Sequence, residues 1–325
     1  MKHNTTKGKG HGHPWLVGIV GIIVAVMIYI HLPQLKEVSG FVLLFALAHL
    51  ILACVVLISA YIITPQKLRY LLFEKRIMKK MEGKLYFGWS HGWMSMFWVV
   101  GLVFLMAAVW VYVYNPSLVW FSLILLLLSE NLFVGNFVLR ASKKDKYMTL
   151  PMVTLSHKED ALIMDVGCGS GRTSIELAKH LKGIRIIALD RFDSDYIENG
   201  GRTLFERNIK IAGIENRVEI LQGDVTEIPM EEGKVDGAIS TYMMDHLGKF
   251  KLDALKEIRR VLKPGGRFLL VVFVPGWITF SVFNVGCFHM TSVKGWKKLF
   301  AESGLELKSE GVLNFGVYFL LEKIK

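Results

Sequence analysis

The sequence predicts an α/β domain with a mostly parallel sheet, preceded by an all-α transmembrane region. Two observations predict this combination. The first 140 residues hold four long apolar stretches. From about Leu150 onward, short apolar runs of strand length alternate with helix-like segments, which is typical of a parallel sheet with helices on both faces. We therefore predict a transmembrane domain over residues 1–140 and a second domain over residues 141–325.

Each of the four apolar stretches is long enough to cross about 30 Å of hydrocarbon as a helix, which takes about 20 residues. Within them, the only acidic or basic residue besides histidine is Glu130. Because a charge inside the membrane is costly, Glu130 is a candidate for a functional role, with pairing inside the helix bundle as the alternative. The predicted spans are residues 15–32, 41–64, 92–114 and 118–139.

The positions of lysine and arginine predict how these helices cross the membrane. Basic residues precede the first span, are frequent in the connection between spans two and three, and follow the fourth span. In the other two connections, Lys36 is the only basic residue. Because basic residues are retained on the cytoplasmic side, we expect both termini and the second domain to be cytoplasmic, at the plasma (inner) membrane. The net charge of +11 then reflects topology, and no nucleic-acid partner is expected.

Seven apolar runs in the second domain are predicted as strands, and four segments between them as helices. The fifth strand follows a turn at residues 263–266, where proline and glycine interrupt any regular element. The predicted strands are residues 162–166, 185–189, 218–221, 238–240, 268–273, 305–313 and 317–322, and the predicted helices are residues 172–181, a region ending near Ala212, and residues 250–262 and 293–303.

The turn Asp165-Val-Gly-Cys-Gly-Ser-Gly171 carries the first chemical signal. Gly167 and Gly169 let the backbone approach a ligand without a Cβ atom in the way, and Gly171 lets the following helix start close to the strand. Asp190 ends the next predicted strand, nineteen positions after Gly171. A carboxylate at that position can accept hydrogen bonds from both hydroxyls of a ribose. The turn and the acid together predict a nucleotide-like ligand.

Two features indicate a nucleotide other than a dinucleotide. The turn follows the pattern D-x-G-x-G-x-G, with an acid before its first glycine, rather than the G-x-G-x-x-G of dinucleotide-binding domains. Asp224 also lies just after the third predicted strand, within Leu221-Gln-Gly-Asp-Val225. There its carboxylate could bond the exocyclic amine of an adenine.

On these residues the chain resembles the class I S-adenosylmethionine-dependent methyltransferases. The resemblance covers roughly residues 150–325 and is closest to the branch of ubiquinone/menaquinone C-methyltransferases and related small-molecule and lipid enzymes. It implies a Rossmann-like, seven-stranded, mostly parallel sheet. The membrane half of this chain has no counterpart in that soluble branch of the family. The matched elements, in the family's order, are the glycine motif, Asp190, Gly223-Asp-Val225, Val235-Asp-Gly-Ala-Ile-Ser-Thr241 and Arg260-Val-Leu-Lys-Pro-Gly-Gly-Arg267.

The resemblance also implies a role for individual residues toward S-adenosylmethionine. Asp165, Gly167 and Gly169 would contact its methionine part, with Cys168 and Gly171 belonging to the same turn. Asp190 would hold the ribose. The adenine would lie against Asp224 and Val225, and Ser240 would lie beside the sulfonium.

Candidates for a catalytic base follow the fourth predicted strand, in Tyr242-Met-Met-Asp-His246. His246 could act as a general base near neutral pH, and Tyr242 could orient the methyl acceptor. Alternatively, His246 caps or packs a helix and Tyr242 closes the cofactor pocket. Asp245 is interpreted as a helix-start residue. No metal site is predicted.

Residues 274–290 are the part of the second domain that least resembles the family. Aromatic residues are dense there and charge is almost absent, which favours a lid for a greasy acceptor or a segment that dips into the bilayer. A core helix packed on the sheet is the alternative.

The sequence therefore predicts an integral membrane methyltransferase that acts on a membrane-resident or hydrophobic acceptor: a quinone, a lipid headgroup or a lipid-linked intermediate. Two alternatives remain open. One is a membrane-anchored methyltransferase of soluble small molecules such as thiols. The other is a membrane sensor that binds S-adenosylmethionine and catalyses nothing.

Overall fold

The computed structural model describes residues 14–44, 47, 82–88, 91–142, 152, 155, 159–194, 197, 200–276, 279, 284–313 and 316–324. The chain divides into two compact units. One contains His11–Ile77 and His91–Phe137. The other contains Val138–Lys325 together with Met78–Ser90. The second unit therefore takes in a short segment that precedes residue 140, the boundary predicted from sequence.

The first unit contains two long apolar helices, α1 (Pro14–His31) and α2 (His91–Tyr114), and most of a third, α3 (Val119–Ser142). They coincide closely with the first, third and fourth predicted spans, while most of the second span, residues 41–64, lies outside the described residues. Of the described helices, one stretch, Pro116–Phe133, is long and apolar enough to cross a membrane, with a mean hydropathy of 1.6. Four transmembrane spans therefore remain a prediction.

Small polar residues join α2 to α3. The hydroxyl of Ser122 donates to the carbonyl of Ala108, and that of Ser129 to the carbonyl of Gly101, both at 2.7 Å. Both serines are buried. Glu130 is exposed, so it lies outside this buried helix contact.

The second unit is built on one seven-stranded sheet, with the order β3-β2-β1-β4-β5-β7-β6. Strands β1 to β5 pair in parallel, and β7 is antiparallel to both β5 and β6. The predicted Rossmann-like, mostly parallel sheet is confirmed. The strands are β1 (Leu162–Val166), β2 (Arg185–Asp190), β3 (Val218–Gln222), β4 (Val235–Thr241), β5 (Leu262–Val272), β6 (Leu305–Leu313) and β7 (Gly316–Lys323).

Helices cover both faces of the sheet, as predicted from the alternation of elements. They are α4 (Arg172–His180), α5 (Arg202–Ile211), α6 (Lys251–Val261) and α7 (Val293–Ser303). Apolar residues of α6 and α7 form one core layer with the sheet, and those of α4 and α5 contribute to the layers on the other side.

The order of the strands creates the place where a ligand can bind. The chain runs outward in one direction from β1 to β3 and in the other from β4 onward. At such a switch point the loops after neighbouring strands diverge, which leaves a crevice at the carboxyl ends of β1 and β4.

The predicted turn at residues 263–266 lies inside β5. Leu262 pairs with Val235 and Arg267 with Gly237, so four residues of β5 stand opposite the single residue Asp236 of β4. Gly265 has a φ of +74°, so the backbone turns tightly there, as predicted. The predicted start of the strand at residue 268 was wrong, because β5 already begins at Leu262.

Candidate active site

The turn after β1 requires glycine for two reasons. Gly167, Gly169 and Gly171 have φ values of +75°, +51° and +87°, which side chains rarely tolerate. Neighbouring side chains also occupy the space that a Cβ atom would need. A Cβ atom on Gly171 would lie 3.0 Å from a ring carbon of Phe205 on α5, and one on Gly167 would lie 2.3 Å from Cγ of Met243.

The backbone of this turn is hydrogen-bonded to the adjacent strand. The N–H groups of Gly167 and Cys168 donate to the carbonyl of Leu189 in β2, at 2.8 and 3.2 Å, and Gly171 donates to the carbonyl of Cys168. The Cys168 thiol is buried, and burial raises its pKa. This cysteine is therefore a packing residue of the turn and not a nucleophile.

Asp190, at the end of β2, is joined to the same turn. Its Oδ2 accepts the N–H of Gly169 at 2.8 Å, and its Oδ1 accepts the N–H of Phe192 at 2.7 Å. A turn that binds a pyrophosphate leaves its N–H groups free for the ligand, whereas here the N–H groups of Gly167, Cys168 and Gly169 are taken by protein acceptors. The turn is therefore suited to a ligand without phosphate at this position.

Asp224 lies after β3 with a half-exposed side chain, beside a buried Val225. Its Oδ1 accepts from both the N–H and the hydroxyl of Thr226, at 2.8 and 2.7 Å, and Arg191 approaches its Oδ2 at 3.4 Å. The Val225 side chain packs in the core, so this residue offers mainly its backbone to a ligand.

Asp165 and Ser240 bring buried polar atoms to the crevice. Oδ2 of Asp165 accepts the hydroxyl of Ser174 on α4 at 2.6 Å. Its Oδ1 and the hydroxyl of Ser240 are buried and have no hydrogen-bond partner among the described residues. Burial, and to a lesser degree Asp190, raises the pKa of Asp165 to about 7, although the Ser174 hydroxyl opposes the shift.

Tyr242 follows β4 in an unusual backbone conformation. Its φ is +57°, rare for a residue with a large side chain. Its N–H donates to the carbonyl of Val271 in β5 at 2.8 Å, and its ring stacks on Phe273 with ring centroids 4.3 Å apart. Burial raises the pKa of Tyr242 to about 12, so its hydroxyl keeps the proton at neutral pH and can only orient a partner.

Asp245 has a role that the sequence did not reveal. It lies in the first turn of a 3-10 helix, Met244–Phe250, as expected. Its Oδ2 also accepts the backbone N–H of Phe273 at 3.1 Å, which ties the loop after β4 to the end of β5. Its Oδ1 is buried without a partner in the described part of the chain. Burial raises the pKa of Asp245 to about 7, opposed by the Phe273 N–H and by Lys251. The neighbouring His246 is exposed.

The aromatic segment at residues 274–290 is described only in part. Trp277, Phe280 and Phe283 lie outside the described residues. Cys287 is buried and Phe288 is 70% exposed. Both the lid and the core-helix interpretations therefore remain predictions.

The residues around the glycine turn fit S-adenosylmethionine. This cofactor has a ribose, an adenine and a positively charged methionine part, and it has no phosphate. Asp165, Asp190 and Asp224 supply acidic groups along the crevice, and two buried oxygen atoms there lack a partner among the described residues. The hydrogen bonds of the turn leave no phosphate-binding set of N–H groups at Gly167, Cys168 and Gly169.

Comparison with known proteins defines the class of this domain. Residues 163–266 match the family described as "Methyltransferase domain". The chain thus carries a class I, S-adenosylmethionine-dependent methyltransferase domain with a Rossmann-like fold, which confirms the cofactor and the enzyme class predicted from sequence.

Two curated relatives share this domain. A fatty-acid O-methyltransferase of Mycolicibacterium smegmatis is 26% identical over 165 residues, which are 51% of each chain. The demethylmenaquinone methyltransferase of Bacillus subtilis is 31% identical over 133 residues, 41% of this chain and 54% of that one. The chain thus spans about half the length of these relatives. A solved S-adenosylmethionine-dependent methyltransferase of Methanosarcina mazei aligns with 55% of this chain and 99% of its own, at 20% identity and a TM-score of 0.45.

Proposed function

We propose that this protein is an integral membrane methyltransferase that transfers the methyl group of S-adenosylmethionine to a membrane-resident or hydrophobic acceptor. Candidate acceptors are an isoprenoid quinone, a lipid headgroup or a lipid-linked intermediate. The cofactor supplies a methyl group that is already activated on a sulfonium. The protein has to hold donor and acceptor in line and to exclude water.

The observation that carries the membrane part of this proposal is the surface of α2 and α3. The hydroxyls of Ser122 and Ser129 on α3 point inward to backbone carbonyls of α2, whereas large apolar side chains point outward. Trp110, Trp120 and Leu127 are 64%, 78% and 63% exposed. A water-facing helix pair would show the reverse pattern, and small polar residues between closely packed helices are typical of membrane proteins.

The proposed topology has four spans, with both termini and the methyltransferase domain in the cytoplasm at the inner membrane. It rests on the distribution of lysine and arginine around the apolar stretches. Anchorage of this kind confines the enzyme to the surface on which a lipid-soluble acceptor is concentrated. Glu130, the acidic residue within the fourth span, is a candidate contact for such an acceptor.

The names of the two relatives support a hydrophobic acceptor. One is named for methyl transfer to fatty acids and the other for methyl transfer to demethylmenaquinone. Both names describe molecules with long apolar chains.

An acceptor that loses a proton during transfer needs a base, and two neighbouring residues are candidates. His246 is the base predicted from sequence, and its exposed side chain is accessible. Asp245 is supported by its buried Oδ1, which has no hydrogen-bond partner among the described residues, and by its pKa of about 7. Tyr242, which keeps its proton, would orient the acceptor from the position it holds against Phe273.

Labelled cofactor tests the proposal. Membranes that contain the full-length protein are incubated with S-adenosylmethionine tritiated in its methyl group, and the products are divided into lipid, protein and aqueous fractions. We expect the label in the lipid fraction, and much less there with Asp190→Ala when the cofactor concentration is far below the Kd of that variant. Label in the aqueous fraction alone would indicate a soluble acceptor. Tight cofactor binding without label in any fraction would indicate a sensor.

A further inference from the structure

A short segment from the N-terminal half of the chain, residues 82–88, packs against the methyltransferase domain. Its Tyr86 forms two hydrogen bonds with Asn208 on α5. The N–H of Tyr86 donates to Oδ1 of Asn208 at 3.1 Å, and Nδ2 of Asn208 donates to the carbonyl of Tyr86 at 2.8 Å. The side chain of Asn208 thus pairs with Tyr86 as the backbone of a neighbouring strand would.

The same amide group also holds the glycine turn. Nδ2 of Asn208 donates a further hydrogen bond to the carbonyl of Ser170 at 2.8 Å. An amide nitrogen has two hydrogens, so one serves Tyr86 and the other serves Ser170. Asn208 is completely buried, and a buried amide that loses either partner pays the full cost of an unsatisfied polar group.

Two further contacts hold the segment on either side of Tyr86. Nη2 of Arg207 donates to the carbonyl of Lys84 at 2.8 Å. The guanidinium of Arg172 lies 5.3 Å from the ring centre of Phe87, which is buried. Arg172 is the first residue of α4, directly after the turn. The segment therefore contacts both α5, which packs against the turn, and α4, which begins directly after it.

We propose that residues 84–87 form part of the cofactor site by fixing the glycine turn through Asn208 and Arg172. A turn with three glycines has much conformational freedom to lose when it binds a ligand. Bonds that fix it in advance reduce this cost and increase affinity. Affinity for S-adenosylmethionine therefore depends on a segment that precedes α2 and α3 in the chain. This inference rests on the placement of the cofactor at the turn.

The test uses the full-length protein in detergent and measures the Kd for S-adenosylmethionine by calorimetry. Phe87→Ala and Arg207→Ala are the informative variants, because neither residue hydrogen-bonds the turn itself in the described part of the chain. Arg207→Ala also removes the 3.4 Å hydrogen bond from its Nη1 to Oδ1 of Asn208, so Phe87→Ala is the cleaner of the two. We expect each to raise Kd about threefold to fivefold, and Asn208→Ala to raise it about tenfold, since each removes a contact worth the order of one hydrogen bond or less. Lys210→Ala, at an exposed position of the same helix, is the matched control and should bind with unchanged affinity.

Hydrogen exchange separates this role from a general loss of stability. In the cofactor-free Phe87→Ala protein, the amides of residues 167–171 should exchange faster, while those of β6 and β7 stay as protected as before. The proposal is overturned if Phe87→Ala and Arg207→Ala both bind the cofactor like the unchanged protein. In that case a large loss of affinity in Asp190→Ala would still place the cofactor at the turn. If Asp190→Ala also binds normally, the placement of the cofactor is itself wrong.

Discussion

Oδ2 of Asp190 accepts the backbone N–H of Gly169 at 2.8 Å. The acid at the end of β2 is thus joined to the turn that follows β1, and one carboxylate serves two purposes. It fixes the turn, and its remaining lone pairs can accept hydroxyl groups from a ligand.

Replacing Asp190 should therefore weaken cofactor binding strongly. Asp190→Ala removes the acceptor for the ribose hydroxyls and leaves the Gly169 N–H without its partner. We expect Kd for S-adenosylmethionine to rise by about 100-fold, since hydrogen bonds to a charged group contribute about 1.5–3 kcal/mol. Calorimetry on the purified protein measures this change. Asp193→Ala, at an exposed neighbouring acid, is the control, and equal affinities for both variants would contradict the assignment of the ribose.

Gly171 should not tolerate a side chain, both because of its positive φ and because of its contact with Phe205. Comparison with Gly213, which has a positive φ but open space around it, separates the two effects. Gly171→Ala places a Cβ atom at a φ of +87° and 3.0 Å from Phe205, whereas Gly213→Ala has a φ of +66° and open space around it. The backbone conformation alone costs about 1–2 kcal/mol, so Gly213→Ala should show that loss. Gly171→Ala should show a larger one, because Phe205 must also shift. Chemical or thermal unfolding measures both, and equal losses would mean that Phe205 adapts freely.

The buried Asp165 predicts a dependence of stability on pH. Its pKa is about 7 in the folded protein and 3.8 in an unfolded chain. Between these values the folded state holds a proton that the unfolded state has released, so stability falls as pH rises from about 4 to about 7. Above pH 7 the penalty is constant.

Asp165→Asn imitates the protonated acid and should remove this penalty. We expect the cofactor-free variant to be more stable than the unchanged protein at pH 8, by about 1–3 kcal/mol. The advantage should shrink toward zero near pH 4. Melting temperatures at several pH values measure it, with Glu219→Gln at an exposed position of β3 as the control. An advantage of the same size at every pH would show that ionisation of Asp165 is not its cause.

The identity of the base can be read from the pH dependence of kcat. If Asp245 takes the proton, kcat should rise with pH through about 7, because only the ionised carboxylate can accept it. Asp245→Asn should then lower kcat by about 100-fold or more and abolish that rise, as expected for the loss of a general base. His246→Gln should keep the profile. The reverse result would assign the base to His246, as the sequence predicts.

Local patterns in the sequence predicted much of the fold. The bounds of α7 and β6 were predicted to the residue. Asp190 lies at the end of β2 and Asp224 just after β3, as expected. The ends of these parallel strands were predictable because their short apolar runs end at polar residues. The start of β5 was missed, since the inserted residues opposite Asp236 leave no periodic signal.

The sequence did not predict contacts between distant residues. Asn208 pairs with Tyr86 across 122 positions, and nothing near either residue indicates the other. Asp245 lies in the first turn of a short helix, as the sequence predicted, but its hydrogen bond to the backbone N–H of Phe273, 28 positions later, was not predicted. Such pairings depend on tertiary packing, which no short-range pattern encodes.

The contact between Tyr86 and Asn208 has a consequence for how the enzyme is made. Residues 82–88 leave the ribosome before α2 and α3, and their partner on α5 leaves well after both helices. Residues 82–88 can therefore bind α5 only after the hairpin of α2 and α3 has been synthesised. Their pairing with Asn208 then closes a loop that spans 122 positions of the chain. The contacts that we propose to fix the glycine turn can therefore form only after both helices of the hairpin have been synthesised.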